Sequence, residues 1–176
     1  MQLSDVIEKR RCVRKFKDKK VDEKDILKIV GSSLNSPCAG GLFSVRVIVV
    51  NDREKKNRIT EACLGQTFMA KAPYFLVICS DKTQTNNMYG RFARAYARQQ
   101  AGAAIQNMFL RTVDLKLSTC WVGAFDDKVI KRVLTIPEDV DVEAVLPIGY
   151  ADEEPEKRLK PSLKSILRLN SYKDSF

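Results

Sequence analysis

Residues 7–16 read Ile-Glu-Lys-Arg-Arg-Cys-Val-Arg-Lys-Phe, and five of these ten side chains are cationic. If a short helix ends at about Lys9 and the chain continues extended, the two-residue alternation places Arg10, Cys12 and Arg14 on one side. Guanidinium groups match the oxygens of a phosphate, and the small Cys12 side chain leaves room for a flat ligand. Residues 10–16, here called the arginine segment, therefore predict an anion site. A solvated basic segment is the alternative, and only other parts of the chain can decide between the two.

The size and composition of the chain indicate one domain. It has 176 residues, of which 44% are apolar, enough for a substantial core. No uninterrupted apolar run approaches the length of a membrane span, and the charged N-terminal stretch lacks the apolar centre of a secretion signal. We therefore expect a single domain over residues 1–176, a cytoplasmic location and no membrane partner. Residues 152–176 differ in character, and we expect this tail to dock on the body of the domain or on a partner subunit.

The cysteine and histidine content restricts the chemistry. The chain has no histidine, and its five cysteines include no C-x-x-C pair, so a zinc site of the usual kind is not expected and no metal is assigned. Their odd number and wide spacing favour reduced, mostly buried thiols. Without histidine, Ser-His and Cys-His nucleophilic mechanisms are excluded, so the chemistry requires another proton handler or a cofactor with its own reactivity. The cysteines are Cys12, Cys38, Cys63, Cys79 and Cys120.

The charge of the chain makes a polyanionic partner worth considering. The formal net charge is +9, and residues 1–20 hold eight Lys or Arg against three Asp or Glu. Phe16 is the only aromatic residue within residues 1–20, which argues against a platform on which the bases of single-stranded nucleic acid would stack. The sequence contains no helix-turn-helix spacing, zinc finger or RNP-like motif. We therefore expect no nucleic-acid partner.

Hydrophobic periodicity predicts helices interleaved with about four strands, which favours an α/β or α+β fold. Asp22, Asp52 and Asp126 are expected to cap three helices. A long central helix is expected over residues 89–117, whereas residues 81–87 are polar and are expected to form a loop. The predicted strands are residues 45–50, 74–79, 118–122 and 142–149.

Three separated segments, in this order and spacing, resemble the nitroreductase family of FMN-dependent oxidoreductases. The arginine segment is similar to the R-R-S-V-R-x-F start of that family, with Cys in place of the usual Ser. Residues 104–110, reading AIQNMFL, resemble its central helix. Residues 119–126 and 146–150, reading TCWVGAFD and LPIGY, resemble its strand and turn beside the flavin. The resemblance extends from about residue 3 to residue 163. It implies an α+β nitroreductase-like fold with a central mixed sheet flanked by helices, and a homodimer with FMN sites shared by both subunits.

The resemblance implies FMN contacts from five parts of the chain. The arginine segment would hold the phosphate, the ribityl chain and the edge of the ring. The backbone of residues 122–124, here called the glycine turn, would approach the N5 and O4 side of the ring, and a basic pair in the tail would return to the phosphate. No catalytic side chain is assigned, because the flavin N5 carries the chemistry. The implied contacts are Arg10, Arg11, Cys12, Arg14, Pro37, Cys38, Ala39, Gly41, Gln66, Val122, Gly123, Ala124, Arg158 and Lys160.

Two positions depart from the pattern of that family. Gly41 stands where an Asn is usual, which removes a side-chain contact to the ring or substrate. Cys12 replaces a hydroxyl, a good hydrogen-bonding group, by a thiol, a weak one. These changes affect substrate preference and flavin affinity more than the fold.

The resemblance implies an NAD(P)H-dependent FMN oxidoreductase that reduces nitroaromatic, quinone or similar acceptors by a ping-pong mechanism. The absence of G-x-G-x-x-G agrees with this, because no dedicated dinucleotide-binding domain is then expected. One alternative is a specialised enzyme of the same fold, flavin-consuming or dehalogenating, although residues 81–90 are too few for an elaborate lid. Another is a basic nucleic-acid-binding module without enzymatic activity. The presence of a flavin would distinguish the two enzymes from the nucleic-acid-binding module.

Overall fold

The computed structural model describes residues 1–157 and 159–174, which form seven α-helices and four strands. Four short 3₁₀ turns lie between them, at Ser33–Asn35, Ala39–Gly41, Thr67–Met69 and Gly90–Phe92. The helices are α1 (Leu3–Lys9), α2 (Glu23–Ser32), α3 (Arg53–Ala62), α4 (Thr83–Tyr89), α5 (Ala93–Asp114), α6 (Asp127–Leu134) and α7 (Leu163–Ile166). The strands are β1 (Val45–Val50), β2 (Tyr74–Ser80), β3 (Ser118–Thr119) and β4 (Asp141–Gly149).

The four strands form one sheet in the order β1-β2-β4-β3, and each neighbouring pair is antiparallel. The parallel element of the sheet is supplied by the arginine segment, because Cys12 forms a parallel bridge with Thr119 of β3. Together with the flanking helices, this arrangement confirms the expected α+β class. It also places residues 12 and 119 side by side although they are far apart in the sequence.

Both faces of the sheet are covered, which explains why β2 is an unbroken apolar run. Phe75 and Val77 pack on one side with residues of α3 and α6, whereas Leu76 and Ile78 pack on the other with residues of α2 and α5. Every residue of β2 is buried. A strand buried on both faces needs apolar side chains at consecutive positions, because successive side chains point to opposite sides.

The three predicted capping aspartates are confirmed. The side chains of Asp22, Asp52 and Asp126 each accept a backbone N–H from the first turn of α2, α3 and α6, respectively. Such caps satisfy backbone donors that have no partner within the helix. The long helix is also confirmed, although it begins at Ala93 after a 3₁₀ turn.

Two boundary predictions were wrong. Residues 81–87 were expected to form a loop, but Thr83 begins the helix α4. The amide and hydroxyl of Thr83 both donate to Asp81, which fixes the start of the helix although its sequence has little apolar periodicity. The strand predicted over residues 118–122 ends at Thr119, and Val122 instead forms an isolated bridge with Val145.

Several large apolar side chains of the tail are exposed in the single chain. Leu163 and Ile166 of α7 are 69% and 66% exposed, and Tyr172 is 89% exposed. The docking of the tail therefore stays a prediction. Within residues 1–157 and 159–174, no helix is both long and apolar enough to span a membrane.

Candidate functional site

The arginine segment is held in place by the sheet and the core. The amide of Val13 donates to the carbonyl of Thr119 at 3.0 Å, and the amide of Lys17 donates to the carbonyl of Tyr150 at 2.9 Å. Between these points the side chains of Val13 and Phe16 are buried. Buried apolar anchors and backbone hydrogen bonds therefore fix the path of a strongly basic stretch.

The three arginines of this segment are not neutralised by acidic side chains. The Arg10 guanidinium lies 5.9 Å from the centre of the Phe109 ring, while Arg11 donates to the carbonyls of Glu8 and Arg10. Arg14 is exposed, and its backbone amide donates to the carboxylate of Glu153. Within the described part of the chain, no carboxylate lies within 4.0 Å of any of these three guanidinium groups. The charges of Arg11 and Arg14 are available to an anion from outside, whereas Arg10 also lies beside the Cys12 sulfur.

Cys12 is the most unusual titratable group of the site. The neighbouring Cys120 thiol, the backbone of Trp121 and the nearby Arg10 cation together lower the pKa of Cys12 from 9.0 to about 5, although partial burial acts in the opposite direction. The guanidinium nitrogen of Arg10 lies 4.0 Å from the Cys12 sulfur. The lowered pKa and the adjacent Arg10 cation favour the thiolate form of Cys12. Cys63 and Cys79 differ, because burial raises the pKa of each thiol to about 12.

The structure joins Gln66 to the glycine turn. The side-chain amide of Gln66 donates to the carbonyl of Ala124 at 3.1 Å and to the carbonyl of Cys63 at 3.0 Å. Val122 is buried and its amide and carbonyl both pair with Val145, so it anchors the turn on β4. Gly123 and Ala124 are exposed, so their backbone is open to a ligand.

The remaining expected contacts lie elsewhere in the single chain. Pro37 and Gly41 are exposed, while Cys38 and Ala39 are half-buried. The loop passes close to α4, since a Cβ built on Gly40 would lie 2.4 Å from the Tyr89 hydroxyl. Lys160 is exposed in the tail, and Arg158 lies outside the described residues. The structure thus brings together the arginine segment with β3, and Gln66 with the glycine turn.

Sequence reasoning did not assign the aromatic pair beside Arg10. Trp121 is 42% exposed and meets the buried Phe109 edge to face, with ring centres 6.2 Å apart. The indole also lies 3.4 Å from where a Cβ of Gly123 would be. Because Phe109 comes from α5, only the tertiary structure could reveal this pair.

A separate cavity of about 200 Å³ is less suited to an anion. It is lined by Leu42, Phe43, Ser44, Arg46, Asp81, Thr83, Gln84 and Thr85. Its one cation, Arg46, is paired with Asp81 at 3.4 Å, so its charge is compensated. The arginine segment, whose cations have no such partner among the described residues, is the better candidate.

Comparison with known proteins agrees with this geometry. The model of the nitroreductase family matches residues 7–68 and 63–150, which include the arginine segment, Gln66 and the glycine turn. The chain belongs to the nitroreductase family. It is therefore an enzyme of the oxidoreductase class, and the expected family is confirmed.

Similar proteins span most of the chain. An FMN reductase (NAD(P)H) of Bacillus subtilis is 32% identical over 92% of this chain and 71% of its own length. A protein of Methanothermobacter thermautotrophicus with the provisional name NADH dehydrogenase/NAD(P)H nitroreductase is 30% identical over 90% of this chain and 82% of its own. The NADPH:FMN oxidoreductase of Vibrio harveyi, solved with NAD⁺, superposes with a TM-score of 0.89 over 98% of this chain and 78% of its own at 20% identity. This last likeness confirms the nitroreductase-like fold.

Proposed function

We propose that this protein is an FMN-dependent oxidoreductase that passes hydride from NAD(P)H through bound flavin to nitroaromatic, quinone or similar acceptors in a ping-pong cycle. The observation that carries the proposal is a set of three arginines on a backbone that is hydrogen-bonded to β3, with no carboxylate of the described residues within 4.0 Å of their guanidinium groups. A cluster of guanidinium groups on a fixed backbone suits a phosphate, because charge-assisted bonds are strong and little backbone ordering is needed on binding.

The residues present fit FMN in charge and shape. Arg10 and Arg14 would hold the phosphate, with Arg11 nearby, and the exposed backbone of Gly123 and Ala124 would lie against the ring. Apart from the two chain neighbours of Gly123, the Trp121 indole is the only described group within 4 Å of a Cβ built on Gly123, so the turn is open on that side. One feature opposes binding, since the Cys12 thiolate competes with a phosphate for Arg10. We expect this competition to weaken the site without abolishing it.

Bound FMN would supply the hydride and electron chemistry, which explains how a chain without histidine can catalyse a redox reaction. The protein's own residues would bind the FMN and orient it. The arginines would neutralise the phosphate, and the Gln66 side chain fixes the carbonyl of Ala124. Asp126, which caps α6, holds the end of the glycine turn.

A second copy of the chain would complete the site. Leu3 and Ile7 are 66% and 53% exposed and lie on the same side of α1, since they are four residues apart. Together with the exposed side chains of α7, they offer apolar surface that one copy leaves in water. We therefore propose a homodimer in which residues 37–41 and the tail contribute to a shared FMN site.

Absorbance of the purified protein tests the proposal. We expect a flavin band in the blue, or its appearance and fluorescence quenching on titration with FMN. Acceptor-dependent oxidation of NADH and of NADPH should then be measured with a nitroaromatic and with a quinone. Protein that is colourless and does not bind added FMN would contradict the proposal and favour the basic binding module. Flavin binding without oxidation of either nicotinamide would favour the specialised flavin enzyme.

A further inference from the structure

Trp121, the one tryptophan of the chain, is a large aromatic side chain that lies partly in water. Its chain neighbours Cys120 and Val122 are each only 1% exposed, whereas Trp121 is 42% exposed. The backbone beside it is fixed, because the amide and the carbonyl of Val122 both pair with Val145. The indole therefore lies outside the core at a defined place next to the glycine turn.

The long helix α5 supports the indole from one side. Phe109 of this helix is 3% exposed and meets Trp121 edge to face, with ring centres 6.2 Å apart and an angle of 76° between the ring planes. Such an arrangement of two aromatic rings is favourable, so it restricts the orientation of the indole. Among the residues that the structure describes, none accepts a hydrogen bond from the indole N–H. This donor is therefore available to a ligand.

The indole lies between the arginine segment and the glycine turn. On one side, the Arg10 guanidinium lies 5.9 Å from the centre of the Phe109 ring, which supports the indole. On the other side, the indole Nε1 and Cδ1 lie 3.4 Å and 3.6 Å from where a Cβ of Gly123 would be. Because Gly123 has no side chain, the pyrrole edge of the indole stays uncovered there. An aromatic surface thus has a cation at one end and an open backbone turn at the other.

We propose that Trp121 contacts the isoalloxazine ring of FMN, with the indole packed on the flavin and the indole N–H donating a hydrogen bond to it. FMN has a flat aromatic ring at one end and a phosphate at the other, which matches the order of groups along this surface. An indole already held by Phe109 loses little freedom when a ligand covers it. The contact rests on the proposed function, since it requires FMN at the site, and it adds a side chain that is absent from the expected FMN contacts.

The fluorescence of bound FMN tests this contact. An indole in contact with a flavin quenches the flavin fluorescence, because the excited flavin takes an electron from the indole and then returns it. We therefore expect FMN bound to the wild type to be dark, and this quenching to be lost in Trp121→Leu. The dissociation constant for FMN should also rise about 3- to 10-fold in that variant, because one aromatic contact is removed. The brightness decides whether the contact exists, and the dissociation constant measures its contribution.

Three further variants separate the contact from a general effect of the substitution. Trp121→Tyr keeps an electron-rich ring and should keep bound FMN dark. Trp121→Phe keeps a ring on Phe109 but has no N–H and is a poor electron donor, so bound FMN should become brighter. This variant decides the question if Trp121→Leu does not fold, as judged by circular dichroism. Leu27→Ala removes an exposed apolar side chain from α2, which holds none of the expected FMN contacts, and should change neither measurement.

The outcomes distinguish this contact from the proposed function. If FMN binds to Trp121→Leu with the same affinity and brightness as to the wild type, the contact is overturned and the proposed function stands. Unchanged brightness together with a shift from dimer to monomer in sedimentation velocity would also overturn it, because a second subunit would then cover the indole. A wild-type protein that does not bind FMN would overturn both.

Discussion

The arginine segment and the C-terminal tail both contain Lys or Arg together with apolar residues, yet only the first is fixed by the rest of the chain. In the arginine segment, Val13 and Phe16 are buried in the core, and backbone hydrogen bonds reach β3 and the end of β4. In the tail, Leu163 and Ile166 lie in water. The difference shows that an apolar residue fixes a segment only where the same chain offers a surface to receive it. By this difference the proposed FMN site has two halves. The fixed half, which contains the arginine segment, is built by one chain, and the unfixed half, which contains the tail, requires a second copy.

The strongest test of the fixed half is the double substitution Arg10→Ala and Arg14→Ala. Charge-assisted hydrogen bonds contribute roughly 1.5–3 kcal/mol each, so FMN binding should weaken about 100-fold or more. Fluorescence titration with FMN measures the change. Lys17→Ala with Lys20→Ala removes the same charge from exposed positions nearby and should have a much smaller effect. Equal flavin content in the double arginine variant and the wild type would refute the assignment.

The unfixed half is tested by Leu163→Asp with Ile166→Asp. If α7 docks on a partner subunit, two charges in the contact should shift the protein from dimer to monomer, because burying an unpaired charge is costly. Sedimentation velocity measures the assembly state. Leu64→Asp, at another exposed leucine, is the control and should leave the assembly unchanged. A dimer unaffected by the α7 variant would mean that the tail does not contribute to the interface.

Cys12→Ser should strengthen FMN binding by about 3- to 10-fold at pH 7. The substitution removes the thiolate that competes for Arg10 and supplies a hydroxyl, whose net hydrogen bond contributes roughly 0.5–1.5 kcal/mol. The same FMN titration measures this effect. Cys79→Ser serves as the control, since it changes a thiol to a hydroxyl in the buried strand β2, which holds none of the expected FMN contacts. Weaker binding in Cys12→Ser would show that the sulfur itself contacts the flavin.

A pH dependence of stability is also expected within the fixed half. The pKa of Cys12 in the folded protein is lowered to about 5 from 9.0, so the folded state releases this proton more readily than the unfolded state. The stabilisation by Cys12 is then fully present above about pH 9 and is lost as the pH falls through about 5. Relative to Cys12→Ser, the urea midpoint of the wild type should therefore rise between pH 5 and pH 9. A constant difference over this range would contradict a thiolate at Cys12.

Much of the fold could be predicted because its signals are local. Asp22, Asp52 and Asp126 cap helices through atoms two or three residues away, and the buried run of β2 follows from its own composition. Helix α4 was missed because its start depends on Asp81, and its seven residues include few apolar side chains. The arginine segment and the glycine turn were named from motifs, and their contact with FMN stays a prediction.

The sequence by itself determined the family, the helix caps, the apolar strands and the cluster of arginines, because each depends on residues close together in the chain. Only the tertiary structure decided that Cys12 pairs with Thr119, that Arg10 lies over Phe109, and that Gln66 holds Ala124. These contacts join residues up to about a hundred positions apart. Their geometry depends on how the sheet and α5 pack, which no local pattern of residues specifies.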